Sequence, residues 1–498
     1  MNTKRMTVRL LATALLGFSL LGTSHAAAPD AANAAQNRNI EALRSLLKQR
    51  ADVNATQPDG TTALHWAAHW NDVEAVNLLL RAGANANAKN RYGATPISEA
   101  VSSGSKELVE ALLVAGANPK TLTTDDGETV LMTAARTGNV DAVRILLDRG
   151  ADVNARESYK GQTALMWAAA ERHPEVVKLL MSHSADWKVR SFDRETKPPR
   201  LSAASSISPI PRGGFTALLF SAREGDIESA KAMLDAGVDI NYGDIDNTGA
   251  LTVSIMNKQF TFAKFLIDRG ADVNQVDAYG RTPVYAVVDI RNEDWSTLPN
   301  RKAEDPLSSL DILNALLSHN AKLDTALNKP LPGRSGMDSG DTALGDGSTA
   351  LMRAARSGDA SAMRVLLSHG ANVKLTTKTG ANALMFAAGV GYRDKNTRGT
   401  EAEALEALKV AMEAGLDLNT PNSRGETALH GAASRGADTI VQYLADHGAA
   451  INAKSSVGYT PLDVALGKGS IGLPVPHDST VALLKKLGAV EGREAPKN

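Results

Sequence analysis

Gly60-Thr61-Thr62-Ala63-Leu64-His65-Trp66-Ala67-Ala68 returns as Gly161-Gln162-Thr163-Ala164-Leu165-Met166-Trp167-Ala168-Ala169. It returns again as Gly347-Ser348-Thr349-Ala350-Leu351-Met352-Arg353-Ala354-Ala355 and as Gly425-Glu426-Thr427-Ala428-Leu429-His430-Gly431-Ala432-Ala433. Downstream of each comes a second phrase, such as Ile145-Leu146-Leu147-Asp148-Arg149-Gly150-Ala151-Asp152-Val153-Asn154 or Val365-Leu366-Leu367-Ser368-His369-Gly370-Ala371-Asn372-Val373. The threonine side chain can accept from an orphan amide and so start a helix. The leucine and the paired alanines then fall on one helical face. Val-x-x-Leu-Leu makes a second one-sided helix, and the glycine after it suits a left-handed C-terminal cap. A pair of short helices cannot bury its own apolar face, whereas a row of such pairs can.

The undisturbed spacing is about 33 residues, and the Thr-Ala-Leu-His phrase is close to Thr-Pro-Leu-His. In both respects the chain resembles the ankyrin repeat. About twelve units begin near residues 31, 60, 93, 127, 161, 214, 247, 280, 347, 380, 425 and 458. The resemblance implies an all-α repeat solenoid over residues 27–488: helix-turn-helix units with β-hairpin fingers in one curved stack. The first and last units depart from the phrase, as capping repeats do. Insertions interrupt the array near 192–212, 291–307, 326–346, 390–403 and 468–479, and residues 489–498 form a charged tail. The first and third of these lie at finger junctions and are expected to extend fingers. The other three lie between the two helices of a repeat, on one expected edge.

Composition narrows the function. Of 498 residues, 43% are hydrophobic and 22% charged, and the net charge is -1. That balance suits a folded chain and gives no electrostatic reason for a nucleic-acid partner. Cysteine is absent, which removes disulfides, thiolate metal sites and cysteine nucleophiles. Lys4, Arg5 and Arg9 precede an apolar run from Leu10 to Leu21 and a small-residue exit at Ser24-His25-Ala26. This is the layout of a secretory signal over residues 1–26. The run is too short to span a bilayer as a helix, so the expectation is export to the periplasm or beyond, with no membrane insertion after cleavage.

Catalytic motifs are weak. Gly467-x-Gly469-x-x-Gly472 lacks the strand that a dinucleotide fingerprint needs. Asp244-x-Asp246 begins like a calcium loop but meets Ile255 where the bidentate glutamate belongs. His65 and His69 share a helix face at metal-ligand spacing, but the resemblance assigns His65 a structural role bridging turn backbone. His183, His319, His369 and His447 end second helices, where the dipole favours them. No catalytic residue, cofactor or metal is therefore assigned. The residue before the paired alanines carries more information, because the resemblance puts it on the concave surface. Trp66, Glu99, Trp167, Phe220, Arg353 and Phe386 occupy it, and large aromatics and arginine are typical interface anchors. The expected function is a non-enzymatic scaffold that binds a protein partner. The alternatives are a secreted effector or inhibitor of a host or competitor protein, and an enzyme or small-ligand binder that uses the inserted loops.

Overall fold

A computed structural model describes residues 30–124, 126–196, 210–292, 305–331, 344–392, 399–468 and 476–492. The expected signal at 1–26, the glycine motif from 469 onward, the middle of each insertion and residues 493–498 lie outside the described residues. The chain divides into two compact units, Met1–Val189 and Arg190–Asn498.

The first unit holds five helix pairs. They are α1 Ala31–Gln36 with α2 Ile40–Lys48, α3 Ala63–His69 with α4 Val73–Arg81, α5 Pro96–Ser103 with α6 Lys106–Val114, α7 Val130–Thr137 with α8 Val140–Asp148, and α9 Ala164–Ala170 with α10 Pro174–Ser182. First helices pack in sequence order, α1 on α3 on α5 on α7 on α9, and second helices do the same. The second unit holds seven pairs. They are α11 Ala217–Glu224 with α12 Ile227–Asp235, α13 Ala250–Met256 with α14 Phe260–Asp268, α15 Pro283–Arg291 with α16 Ser309–Ser318, α17 Ala350–Arg356 with α18 Ala360–Ser368, α19 Ala383–Ala388 with α20 Glu401–Glu413, α21 Ala428–Arg435 with α22 Asp438–Asp446, and α23 Pro461–Ala465 with α24 Asp478–Lys486. The fold is an all-α repeat solenoid, with twelve pairs among the described residues where the sequence phrase implies about twelve. One two-stranded sheet occurs among the described residues: β1 Arg194–Thr196 pairs antiparallel with β2 Ile210–Arg212. This is the root of the finger expected at 192–212. Gly213 closes it at φ 133, where a Cβ would stand 1.9 Å from the Phe192 carbonyl oxygen, so only glycine fits. The root of the insertion at 326–346 is also paired: Leu327 N donates to Ser348 O at 2.9 Å and Gly347 N to Leu327 O at 2.8 Å.

The core is the set of faces read from the phrase. Leu64, Ala67, Ala68, Leu131, Ala134, Ala135, Leu165, Ala168 and Ala169 are all buried. The alanines let neighbouring first helices approach closely, and dispersion between well-packed helices supplies the cohesion. The threonines cap as the sequence implies: Thr62, Thr129, Thr163, Thr216, Thr282 and Thr349 each accept from the amide three residues on.

Two polar devices recur between successive repeats. His65 Nδ1 accepts from Thr62 N at 3.2 Å, so its proton sits on Nε2, which faces Ala94 O of the following repeat at 3.0 Å. His430 repeats this with Thr427 N at 3.1 Å and Tyr459 O at 3.1 Å. The second device is a run of asparagines. Asn54 Nδ2 donates to Gly83 O at 3.2 Å while its Oδ1 accepts from Asn85 N at 2.7 Å. Asn87 does the same one repeat on, to Gly116 O at 2.8 Å and from Asn118 N at 2.8 Å. Asn419 and Asn452 carry the pattern to Gly448 and Gly488. The glycine carbonyls they satisfy lie at second-helix C-termini, where four groups lack helical partners.

Both histidines must be neutral to make these bonds, and burial holds each below the ordinary value of 6.5. The unfolded chain therefore takes up the protons first as pH falls. Stability from this source is complete above about pH 6.5 and is lost as pH drops toward the lowered folded values. A His65→Asn/His430→Asn protein should lose less of its urea midpoint between about pH 7.5 and about pH 5 than the parent does. A second test concerns the asparagines. Asn87→Ala removes one donor and one acceptor, and should lower unfolding free energy by about 1–2 kcal/mol in urea titration.

Candidate partner-binding face

The first helices carry the candidate residues one per repeat, just before the paired alanines, and their surroundings differ between the units. In the first unit Trp66, Glu99 and Trp167 are partly open at this position, whereas Thr133 on α7 is buried. Trp66 on α3 is half-buried, and its Nε1 donates to Gln57 Oε1 at 2.9 Å. Trp70, one turn on, is 40% exposed and donates from Nε1 to Gln36 O at 3.1 Å. The two indoles stack at 6.3 Å and 18°, with His69 edge-on to both. The Arg38 guanidinium lies 5.9 Å from the Trp70 ring centre. Glu99 on α5, the next candidate, meets His69 Nδ1 at 2.9 Å. Trp66, His69, Trp70 and Glu99 thus form one cluster across two successive first helices. Both indole N–H groups reach back to residues of the Ala-rich first repeat, so the cluster also anchors that terminal unit.

Trp167 on α9 is half-buried too. The Arg136 guanidinium from α7 lies 5.8 Å from its ring centre and pairs with Glu128 at 3.5 Å. Its Nε1 is buried and meets no acceptor among the described residues. In Trp66 that role falls to Gln57, but Ser158, which comes nine residues before Trp167, donates instead to Asp126 O at 2.8 Å. A buried donor without a partner costs free energy.

In the second unit the same position points into the protein, and three expectations are corrected. Phe220 is 5% exposed and Phe386 2% exposed. Phe220 packs edge-on to Phe215 at 5.6 Å and under Arg223 at 4.9 Å. Neither ring offers a face to a partner; both fill core between repeats. Arg353 is also committed. Its Nε donates to Asp289 Oδ1 at 2.8 Å, its Nη2 to Asn292 O at 3.0 Å, and its Nη1 to Ser357 Oγ. A reciprocal pair lies beside it: Arg291 Nε donates to Asp359 Oδ2 at 2.6 Å. Sequence reading missed this network. The available signal was polar, Asp289 and Arg291 at the end of the otherwise apolar helix Pro283–Arg291.

The metal candidates dissolve on inspection of their bonds. His65 is tied up as described above, and His69 faces Glu99 rather than sharing a ligand with it. Asp244 Oδ1 accepts from Asp246 N at 2.9 Å and Thr248 N at 2.7 Å, which makes a turn. Among the described residues no group of three or more His, Asp or Glu is placed to hold a metal ion, and no helix is long and apolar enough to cross a membrane.

Stacked helix pairs, with half-open side chains held at one repeated position, define a class: a repeat solenoid built for protein–protein interaction. Models of ankyrin repeats match residues 32–122, 98–191, 203–288, 307–395 and 412–465. These cover more than half of the chain, which belongs to the ankyrin repeat family. Among curated proteins it is similar to an ankyrin repeat protein of Escherichia coli (strain K12), YahD, at 26% identity over 46% of this chain and 95% of that one. Serine/threonine-protein kinase 12 of Arabidopsis thaliana is 34% identical over 20% of this chain and 22% of its own length. Palmitoyltransferase akr1 of Neurospora crassa is 30% identical over 16% of this chain and 11% of its own length. The chain thus spans nearly all of the bacterial relative and less than a quarter of the other two.

Removal of Arg353 would leave the Asp289 carboxylate buried beside a cavity. Arg353→Ala should therefore cost about 3–5 kcal/mol in chemical unfolding. Arg269→Ala, which breaks the exposed pair with Asp235, should change the same transition little.

Proposed function

We propose that this ankyrin repeat chain is an exported, non-enzymatic scaffold that binds one protein partner through the first-helix face of its first unit. The observation that carries this reading is a set of partly open side chains at one repeated position, Trp66, Glu99 and Trp167, with Trp70 stacked on Trp66 one turn further along. Aromatic side chains of this kind bury large area for little loss of rotamer freedom, and they dominate interface energetics when a partner covers them. Because stacked helices fix their spacing before the partner arrives, little ordering entropy is spent on binding. Protein–protein interaction is the role that the family implies. Export rests on the basic, apolar and small-residue layout of residues 1–26, and the destination consistent with it is the periplasm or the exterior.

The test is affinity capture from a periplasmic extract with residues 27–498, beside a Trp66→Ala/Trp70→Ala/Trp167→Ala protein. The parent should retain one specific partner, and the variant should lose it by about 30-fold or more in Kd, the scale of a single hot spot. Because Trp66 and Trp70 also anchor the first repeat, a Trp167→Ala protein is captured alongside, and loss of the partner counts where circular dichroism matches the parent. Equal capture by both proteins would refute this face.

A further inference from the structure

The reciprocal ion pairs of the second unit form the floor of a polar cleft. α15 ends at Arg291 and Asn292, and α17 turns into α18 through Ser357, Gly358 and Asp359. α20 is 13 residues long where α18 is 9. Its first turn, capped by Thr400, therefore stands beside the start of α18 as a wall. That approach is tight: a Cβ on Gly358 would lie 3.0 Å from Ala404 N. Between these elements lies a cleft of about 500 Å³, whose lining includes Arg291, Asn292, Asp359, Arg364, Glu403 and Glu406. Its size falls within the range of small-ligand sites, about 300–1,000 Å³.

The floor is preorganised. Asn292 is 6% exposed, and the Asp359 side chain is 7% exposed. Asp359 Oδ2 accepts from Arg291 Nε at 2.6 Å and Asn292 Nδ2 at 3.1 Å, and its Oδ1 accepts from Ala362 N at 3.1 Å. The walls are loose by comparison. Arg364 and Glu406 face each other at 3.7 Å with side chains 56% and 50% exposed, and Glu406 also meets Lys409 at 2.7 Å. An exposed pair at that separation is worth little and exchanges readily for a guest. In the floor Arg291 and Asp359 offset each other, and the walls add the Arg364 guanidinium from α18 and the Glu403 and Glu406 carboxylates from α20. A guest of single charge would face one wall of its own sign, whereas a dipolar guest meets a complementary group on each.

We propose that this cleft binds a dipolar peptide unit, with an ammonium or guanidinium toward Glu406 and a carboxylate toward Arg364. The site shares no residue with the tryptophan face, and its test is independent of that reading. Two sources could supply the chemistry: a free dipeptide with charged ends, or a Lys-Glu pair within a longer chain.

The full chain is titrated calorimetrically with L-lysyl-L-glutamate and, separately, with acetyl-Ala-Lys-Glu-Ala-amide. The expected result is saturable binding of at least one, with Kd on the order of 1 mM or below, weakened tenfold or more in Arg364→Gln and Glu406→Gln proteins. Both substitutions fall on half-exposed side chains, and matching circular dichroism checks that the fold is kept. Binding of the first peptide alone identifies free charged ends as the ligand, and binding of the second identifies an internal segment. No saturation by either up to about 10 mM, or equal binding by parent and variants, would overturn the proposal.

Discussion

No helix pair in this protein can exist alone. A first helix of five to nine residues and a second of nine to thirteen are each too short to persist in water. Their apolar faces are covered only when a neighbouring pair lies alongside. Everything else in the fold serves that lateral contact. Paired alanines bring the first helices together, threonine caps start them at the same point, and glycine ends the second helices. Where they occur, the asparagine and histidine bonds then fix one repeat at one height against the next. Cohesion is thus dispersion and apolar burial, while alignment is hydrogen bonding.

Within this frame one repeated position has two uses. In the first unit it carries indoles half open to solvent, tied at their N–H ends to glutamine or left with an unmet donor, as at Trp167. In the second unit the same position is occupied by Phe220 and Phe386, which are core, and by Arg353, which bonds to Asp289. The difference lies in what the neighbouring repeats place around the side chain. Phe220 is closed in by Phe215 and Arg223.

That difference marks where sequence reading succeeds and where it stops. The repeat, its period, its caps and its core face were legible because each depends on residues within about ten positions of one another. Thr62, Leu64 and the Ala67-Ala68 pair carry their structural roles in their own spacing. The histidines ending the second helices were equally legible: His183, His319, His369 and His447 each place Nδ1 at the carbonyl four residues back. Burial of Phe386 and the commitment of Arg353 were not legible, since they depend on groups from other repeats. Arg353 and Asp289 are 64 residues apart, and two insertions separate them. No local pattern marks such a pairing. The longer α20, which builds the cleft wall, follows an insertion whose length said nothing of where the helix would restart.

The asparagine bonds have a mechanical consequence. Each one joins a loop to the loop of the next repeat only, so load along the row of repeats passes through one junction at a time. Tension on a unit would then peel its terminal pair before any inner pair moved. Extension would proceed in steps, each set by the contour length of one repeat and longer where an insertion lies. Junctions reinforced by buried ion pairs, as between α15 and α17, would yield last. The protein is in that sense a graded spring, stiffest where charge is buried.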